Sequence, residues 1–160
     1  MTPRYGRAAR GQRVVDHVPR NYGEQTSVIG ALSLRRGLIA TMTLDGAVDT
    51  LAFDAYLARI LSPRLRKGDV VVLDNLHVHK ASQGEDVAQA RGASVLWLPP
   101  YSPDYAPIEQ CWSKIKQTLR SAKARTRAEL DKALAHALTL VTKADIKGWF
   151  KHCGYKVASE

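Results

Sequence analysis

Apolar residues follow two different periods along this chain, and the change between them predicts the order of its strands and helices. The β-branched stretches 26–34 and 38–44 predict two strands, joined by a short Arg-Arg-Gly turn into a hairpin. Helical spacing over 49–61 predicts an amphipathic helix packed on that sheet. The apolar run 70–73, bounded by polar residues, predicts a strand buried on both faces.

The second half of the chain changes from short strands to longer helices. We predict a short helix over 84–91, a strand over 94–98 and a loop, 99–107, that contains four prolines and is therefore stiff. From Ile108 onward the pattern is helical, with an apolar stripe at Ile108, Trp112, Ile115 and Leu119. The sequence order of strands and helices predicts an α/β fold.

Threonines mark the starts of two further helices. Thr126, followed three residues later by Glu129, predicts a capping box. The segment 142–145 predicts the cap of a third helix. The second helix carries the apolar stripe Leu130, Leu134, Ala137 and Val141.

The positive charge of the chain is clustered, and this clustering indicates the kind of partner that the protein binds. The chain of 160 residues has a net charge of +9, and the stretch 110–128 holds six basic residues and no acidic one. Such a cluster favours a polyanionic partner, nucleic acid first, over a generically basic soluble protein. The predicted nucleic-acid-binding residues are Lys80, Lys114, Lys116, Arg120, Lys123 and Arg125.

Composition also excludes several classes of protein. No apolar run approaches the roughly 18 residues of a membrane span, and Met1 leads into arginines without a signal peptide's apolar region. Cys111 and Cys153 lack C-x-x-C spacing, which argues for a reducing cytosol and against a zinc or disulfide framework. No phosphate-binding G-x-x-x-x-G-K-[ST] motif occurs. We therefore expect a cytoplasmic protein with no membrane partner.

Two carboxylates stand at the ends of predicted elements, with 34 residues between them. Asp74 follows the strand 70–73, at the edge where ligand sites form in open α/β sheets. Glu109 follows Pro107 in the first turn of a helix, where the helix dipole favours an ionised carboxylate. Because one or two carboxylates plus substrate phosphates hold Mg²⁺ in proteins, this pair suits a hard divalent cation.

The segments LDNLHVHK (73–80) and LPPYSPDYAPIEQCWSKIK (98–116) resemble the DDE transposases of the mariner-type superfamily, in its bacterial insertion-sequence branch. The resemblance runs over about residues 4–155 and implies a ribonuclease-H-like mixed sheet flanked by helices. It implies metal-dependent DNA cleavage and strand transfer in DNA transposition, with Asp74 and Glu109 as catalytic residues and ligands of Mg²⁺ or Mn²⁺. The implied partners are transposon-end and target DNA, and a full-length transposase or a second copy. The implied location is the bacterial cytoplasm, at the nucleoid.

The first of the family's three carboxylates has no counterpart in this sequence. The resemblance divides the chain into a basic connector or arm, 1–25, and a partial ribonuclease-H-like catalytic domain, 26–160. It puts the first catalytic strand, with its Asp, ahead of the connector. We therefore expect an N-terminally truncated reading frame, or the downstream half of a frameshifted element, that is inactive alone. Asp16 is a weak candidate substitute, whereas Asp45 and Asp49 suit a turn and a helix cap.

Three polar residues near the carboxylates have two interpretations each. Asn75 orients Asp74 or contacts phosphate, or is an ordinary loop residue. His79 matches the position of the histidine in the family's DN-x-x-x-H pattern, which implies a place near the active site, while zinc binding lacks further ligands. Asp104 orients Glu109 or is a turn residue. All three are predicted as secondary site residues.

Two rival functions remain open at this point. The missing first carboxylate favours a non-catalytic DNA-binding or regulatory fragment of a transposase. A ribonuclease-H-like nuclease that acts on RNA or hybrids is disfavoured by the SPDYAPIE segment, 102–109.

Overall fold

Four strands and six α-helices form the described part of the chain, residues 6–15 and 25–157 of a computed structural model. The strands are β1 (Thr26–Ser33), β2 (Gly37–Asp45), β3 (Val70–Leu73) and β4 (Ser94–Trp97). The helices are α1 (Thr50–Tyr56), α2 (His77–Lys80), α3 (Gly84–Gln89), α4 (Pro107–Ala122), α5 (Arg127–Thr139) and α6 (Lys143–His152). The mixed α/β class predicted from the sequence is confirmed. Asp16 and most of the predicted arm lie outside the described residues.

The hairpin of β1 and β2 lies between two cores. Its strands are antiparallel, with a bulge after Ala31 that leaves Ile39 without a direct partner. Because side chains alternate along a strand, Ile29 joins a cluster with α1, while Val28 packs against a cluster formed by α4 and α5. The hairpin therefore connects the two halves of the domain.

The first helix begins where the sequence predicts. The side chain of Asp49 accepts a hydrogen bond of 2.8 Å from the backbone N–H of Ala52 and caps α1. The chain continues through a π turn, Leu57–Leu61, and a 3₁₀ turn, Ser62–Arg64, that contains Pro63. The predicted helix over 49–61 is thus confirmed, although its last part winds more loosely.

The second sheet is parallel and corrects one prediction. β3 pairs with β4 in register from Val70↔Ser94 to Leu73↔Trp97. The prediction that this strand is buried on both faces is wrong, because Val70 and Val72 are 57% and 37% exposed. Only the face that carries Val71 and Leu73 packs against the α1 cluster.

The four strands form two separate two-stranded sheets within the described residues, because β1 pairs only with β2 and β3 only with β4. A ribonuclease-H-like mixed sheet therefore stays a prediction. Both sheets border one cavity, described below.

Three helices complete the described chain, and their starts agree with the sequence. Pro107 occupies the first turn of α4, and capping boxes at Thr126 and Thr142 begin α5 and α6. The predicted stripe of α4 is partly right: Ile115 and Leu119 are buried, while Ile108 and Trp112 are half-buried. No helix among the described residues has the length and apolar character to span a membrane.

Candidate active site

Asp74 and Glu109 line one cavity of about 520 Å³ that lies between the two sheets. Asp74 directly follows β3, and Glu109 stands in the first turn of α4. The backbone N–H of Glu109 bonds to the carbonyl oxygen of Ala106 at 3.0 Å, which fixes the start of the helix. The structure thus brings the two predicted carboxylates to the same cavity from elements that are distant in the sequence.

The carboxylate of Asp74 is held in one orientation. Its Oδ1 lies 2.7 Å from Nδ1 of His79 and accepts a hydrogen bond of 3.1 Å from the backbone N–H of Leu76. Oδ2 has no partner within the described residues, so it is available to a ligand. The side chain of Asp74 remains 46% exposed, whereas that of His79 is 21% exposed. Asp74 is therefore oriented but open to the cavity.

A tilted ring contact positions the histidine in turn. The ring of His79 lies 4.3 Å from the ring of Phe53, measured between centroids, at an interplanar angle of 31°. Phe53 belongs to the buried cluster of α1. Phe53 of the core therefore contacts the imidazole of His79, which in turn contacts the carboxylate of Asp74.

Asn75 and Asp104 form no hydrogen bond with the carboxylates of Asp74 and Glu109 among the described residues. The side-chain amide of Asn75 donates to the backbone carbonyl of Leu98, so it ties the end of β3 to the end of β4. Asp104 is exposed in the 3₁₀ turn Pro103–Tyr105, and no hydrogen bond joins it to Glu109 in the described chain. Burial raises the pKa of the Cys153 thiol, and the negative charge of Asp104 raises it further.

The proline-rich loop before Glu109 is braced from the end of the chain. The hydroxyl of Tyr155 donates to the carbonyl oxygen of Tyr105 at 2.8 Å, and its ring packs edge-on against Phe150. Tyr101 is fully exposed and has a positive φ of 56°, an uncommon conformation for a residue with a side chain. Sequence analysis missed the Tyr155 brace, because no local pattern marks a contact across 50 residues.

The predicted basic residues have different surroundings. Lys114 is ion-paired: its Nζ lies 2.5 Å from Oδ2 of Asp145, which links α4 to α6. This bond and those from Thr142 lower the pKa of Asp145 to about 2. Lys116 is exposed and Arg120 half-buried, and neither forms an ion pair with a described acid.

The other predicted cations lie at helix ends. Lys80 is exposed in the last turn of α2. Lys123 follows α4 in the left-handed conformation, with φ of 49°, and Arg125 donates its backbone N–H to Glu129 at 2.7 Å. Arg127, counted in the same basic stretch, is ion-paired with Asp45 and Asp131. Part of the basic cluster therefore forms ion pairs with acidic residues of the protein itself.

The residues present fit a divalent cation in part. Asp74 offers a free oxygen and Glu109 an exposed carboxylate, the hard ligands that Mg²⁺ accepts together with substrate phosphates. No group of three His, Cys, Asp or Glu side chains suited to a metal occurs in the described residues. The pair therefore suits one cation shared with a substrate more than an all-protein site.

These features define an α/β domain with a strand-end carboxylate and a helix-start carboxylate on one cavity. Residues 1–131 match the family described as DDE superfamily endonuclease, and the chain belongs to that family. The match includes Asp74, His79 and Glu109. The family consists of transposase-like nucleases that act on DNA and generally use divalent metals. Comparison with curated proteins finds no match.

Proposed function

We propose that this chain is the catalytic domain of a DNA transposase of the mariner-type superfamily, in its bacterial insertion-sequence branch, with a ribonuclease-H-like arrangement. The observation that carries the proposal is the pair Asp74 and Glu109 on one cavity, with Asp74 oriented by His79. Its substrates are the DNA of transposon ends and of the target site. A domain with these substrates works in the bacterial cytoplasm, at the nucleoid.

The roles of the residues follow from their surroundings. Asp74 and Glu109 hold Mg²⁺ or Mn²⁺, which supplies charge stabilisation at the phosphate that is cut. His79 keeps Oδ1 of Asp74 fixed, so that the carboxylate does not rotate and Oδ2 faces the cation site. Asn75 holds the ends of β3 and β4 together beneath Asp74.

The basic residues bind DNA through its phosphates. Lys116 and Arg120 lie on α4, the helix that begins with Glu109, and have no acidic partner among the described residues. Their charges extend the site along the helix and attract a phosphate backbone. Lys80, Lys123 and Arg125 extend the same contact, whereas Lys114 acts through Asp145 and stabilises the fold.

A second candidate is a non-catalytic DNA-binding or regulatory fragment that associates with a full-length transposase. The observation that favours it is that no third ligand side chain joins Asp74 and Glu109 in the described residues. The two candidates share DNA binding and differ in strand cleavage.

Calorimetric titration with Mn²⁺ and Mg²⁺ tests the assigned ligands. We expect Asp74→Asn and Glu109→Gln each to weaken binding at least tenfold, because each removes one charged ligand. Asp86→Asn is the matched control, since Asp86 is exposed in α3 and does not line the cavity. Unchanged metal binding in the Asp74→Asn, Glu109→Gln double variant would refute the ligand assignment.

Cleavage of plasmid DNA with Mn²⁺ separates the two candidates. Cleavage by the 160-residue chain that is lost in Asp74→Asn supports the catalytic domain and overturns the expectation that the chain is inactive alone. DNA binding without cleavage, in the same preparation, supports the regulatory fragment. The metal titration above remains interpretable in either case.

A further inference from the structure

The loop between β4 and α4 presents a tyrosine that is both exposed and held in a strained backbone conformation. Tyr101 follows Pro100 in a turn and has a positive φ of 56°. Proline followed by a positive φ is the pattern of a type II turn, where glycine or asparagine is favoured at the second of these positions because a Cβ atom is strained there. The side chain is fully exposed, so burial does not offset this strain. The fold alone therefore does not account for a tyrosine at this position.

A second positive φ, at a lysine, has a structural explanation. Lys123 directly follows α4, and a left-handed residue at that position is a common way for a helix to end. No helix ends at Tyr101, since β4 stops at Trp97 and the next 3₁₀ turn begins at Pro103. Strained backbone that the fold does not require is typical of functional sites. The comparison therefore points to a function for the Tyr101 side chain.

The loop around this tyrosine is held in place by its own hydrogen bonds. The hydroxyl of Ser102 donates to the carbonyl oxygen of Pro100 at 3.2 Å. The backbone N–H of Tyr105 bonds to the carbonyl oxygen of Ser102 at 3.3 Å, and the hydroxyl of Tyr155 holds the carbonyl of Tyr105. A ring presented on such a loop loses little conformational entropy when it meets a ligand. Tyr101 is therefore suited to binding.

The loop begins beside Asp74. The backbone N–H of Leu98 bonds to the carbonyl oxygen of Leu73, the residue before Asp74, at 2.8 Å. Tyr101 is three residues further on, so its Cα lies within about 11 Å of the Cα of Leu98, at roughly 3.6 Å per residue or less. Along a duplex, about 11 Å corresponds to roughly three nucleotides of one strand. The ring is therefore placed to contact DNA a few nucleotides from a phosphate that is held at Asp74.

Two further apolar side chains are exposed at the same edge of the domain. Leu76, two residues after Asp74, is 58% exposed. Tyr105, four residues before Glu109, is 53% exposed. We call Leu76, Tyr101 and Tyr105 the apolar rim. Single exposed apolar residues are common, but three on the segments that carry both candidate metal ligands form a surface for a ligand with flat apolar faces. Nucleobases have such faces, and the family acts on DNA.

We propose that the ring of Tyr101 stacks on an unpaired base of the DNA, a few nucleotides from the phosphate held by Asp74 and Glu109. This inference rests on the proposed function, since it takes DNA as the substrate at that site. Neighbouring bases cover both faces of a base inside an intact duplex. An exposed ring therefore stacks only on a base at a cut or frayed end, or on one that is turned out of the helix. Tyr101 thus selects the structure of the DNA, whereas the basic residues bind any phosphate backbone.

Fluorescence anisotropy with two labelled DNA probes tests the inference, without divalent metal so that no strand is cut. One probe is a short duplex with paired ends, and the other is the same duplex with a few unpaired thymidines at one 3′ end. We expect the chain to bind the second probe more tightly. Tyr101→Ala should weaken binding of that probe about tenfold and of the paired probe by at most about twofold. Tyr101→Phe should keep the preference, because the ring stacks and the hydroxyl does not. Leu51→Ala is the matched control, since Leu51 is 78% exposed on α1 and does not line the cavity.

Two further measurements distinguish stacking from other contacts. Stacking is not ionic, so Tyr101→Ala should leave the salt slope of DNA binding unchanged, whereas the loss of a phosphate contact reduces it. A 5-iodouracil in the unpaired end should form a photochemical cross-link to the ring of Tyr101, which mass spectrometry of the digested protein identifies. Tyr101→Gly should weaken binding as Tyr101→Ala does while the protein stays folded, because no buried contact is lost.

Several results would overturn the inference. One is that Tyr101→Ala binds the unpaired end as tightly as the unchanged chain, and another is a cross-link to a different residue. An equal loss on both probes, or a smaller salt slope, would indicate a phosphate contact. Self-association that is lost in Tyr101→Ala, measured by sedimentation, would mean that the ring contacts a second copy. If the unchanged chain binds neither probe, the proposed function fails as well, whereas binding of both probes without an effect of Tyr101 removes only this inference.

Discussion

Gly30 of β1 lies where the hairpin meets α4, and its replacement by alanine tests how tightly these elements fit. A Cβ atom added there would be 2.9 Å from Cη2 of Trp112 and 3.3 Å from the carbonyl oxygen of Ala40. The first distance is too short for two carbon atoms, so the indole or the strand has to move. Since Trp112 stands one turn after Glu109, the displacement would also reach the start of α4.

Two opposing terms set the expected size of the effect. Forcing an extra methyl group into a packed contact costs about 1–3 kcal/mol. Removing a glycine from a strand recovers roughly 0.5–1 kcal/mol of unfolded-state entropy. We therefore expect Gly30→Ala to lower the free energy of unfolding by about 1–2 kcal/mol, with the larger share from the clash.

Urea denaturation followed by circular dichroism measures this change, with the slope m expected to stay constant. Gly148→Ala is the control, because a Cβ at Gly148, inside α6, meets no atom within 4 Å. That substitution should raise stability by about 0.5–1 kcal/mol. A Gly30→Ala protein as stable as the unchanged chain would refute the tight contact between β1 and Trp112.

Three further predictions concern charge, strain and DNA. The bond from Lys114 contributes most to lowering the pKa of Asp145 from its ordinary 3.8 to about 2. This bond therefore stabilises the fold above about pH 4 and ceases to do so as the pH falls through 2. Asp145→Asn should therefore cost roughly 1–2 kcal/mol in denaturation at pH 7 and little near pH 2. Tyr101→Gly should raise stability by about 1 kcal/mol, because it relieves a positive φ and loses no buried contact. Lys116→Ala and Arg120→Ala should each weaken DNA binding and reduce its salt slope by about 1.

Each of these has a result that contradicts it. An equal loss of stability at pH 7 and pH 2 in Asp145→Asn would show that charge is not the cause. A less stable Tyr101→Gly protein would mean that the tyrosine ring makes a contact worth more than the strain. For the two basic residues, a salt slope that does not change would remove them from the DNA interface. Lys132→Ala serves as the control, because Lys132 is an exposed residue of α5.

The elements were predictable from the sequence because their signals are local. Asp49, Thr126 and Thr142 were recognised as caps from the residues that follow them, and each forms the expected bond. The hairpin was predictable from two β-branched stretches and a glycine turn, with Gly37 at φ of 83°. The four-residue helix α2 was missed, because HVHK carries no apolar period long enough to detect.

The site was only partly predictable. Asp74 and Glu109 follow from strand-end and helix-start positions, and the structure brings both to one cavity. The exposure of Val70 and Val72 was not foreseen, since an apolar run shows what a strand can bury and not whether a neighbour covers it. Likewise the charge of Lys114 predicts an anionic partner, but sequence alone does not distinguish a phosphate from Asp145.

The family match ends at residue 131, inside α5, which continues to Thr139. Leu134 and Ala137, both beyond that point, are buried against α4, and Tyr155 braces the loop before Glu109. Residues 132–157 therefore contribute to the core around α4 and hold the loop before Glu109, although no proposed metal ligand lies among them. The position of Glu109 thus depends on a part of the chain that lies outside the matched segment.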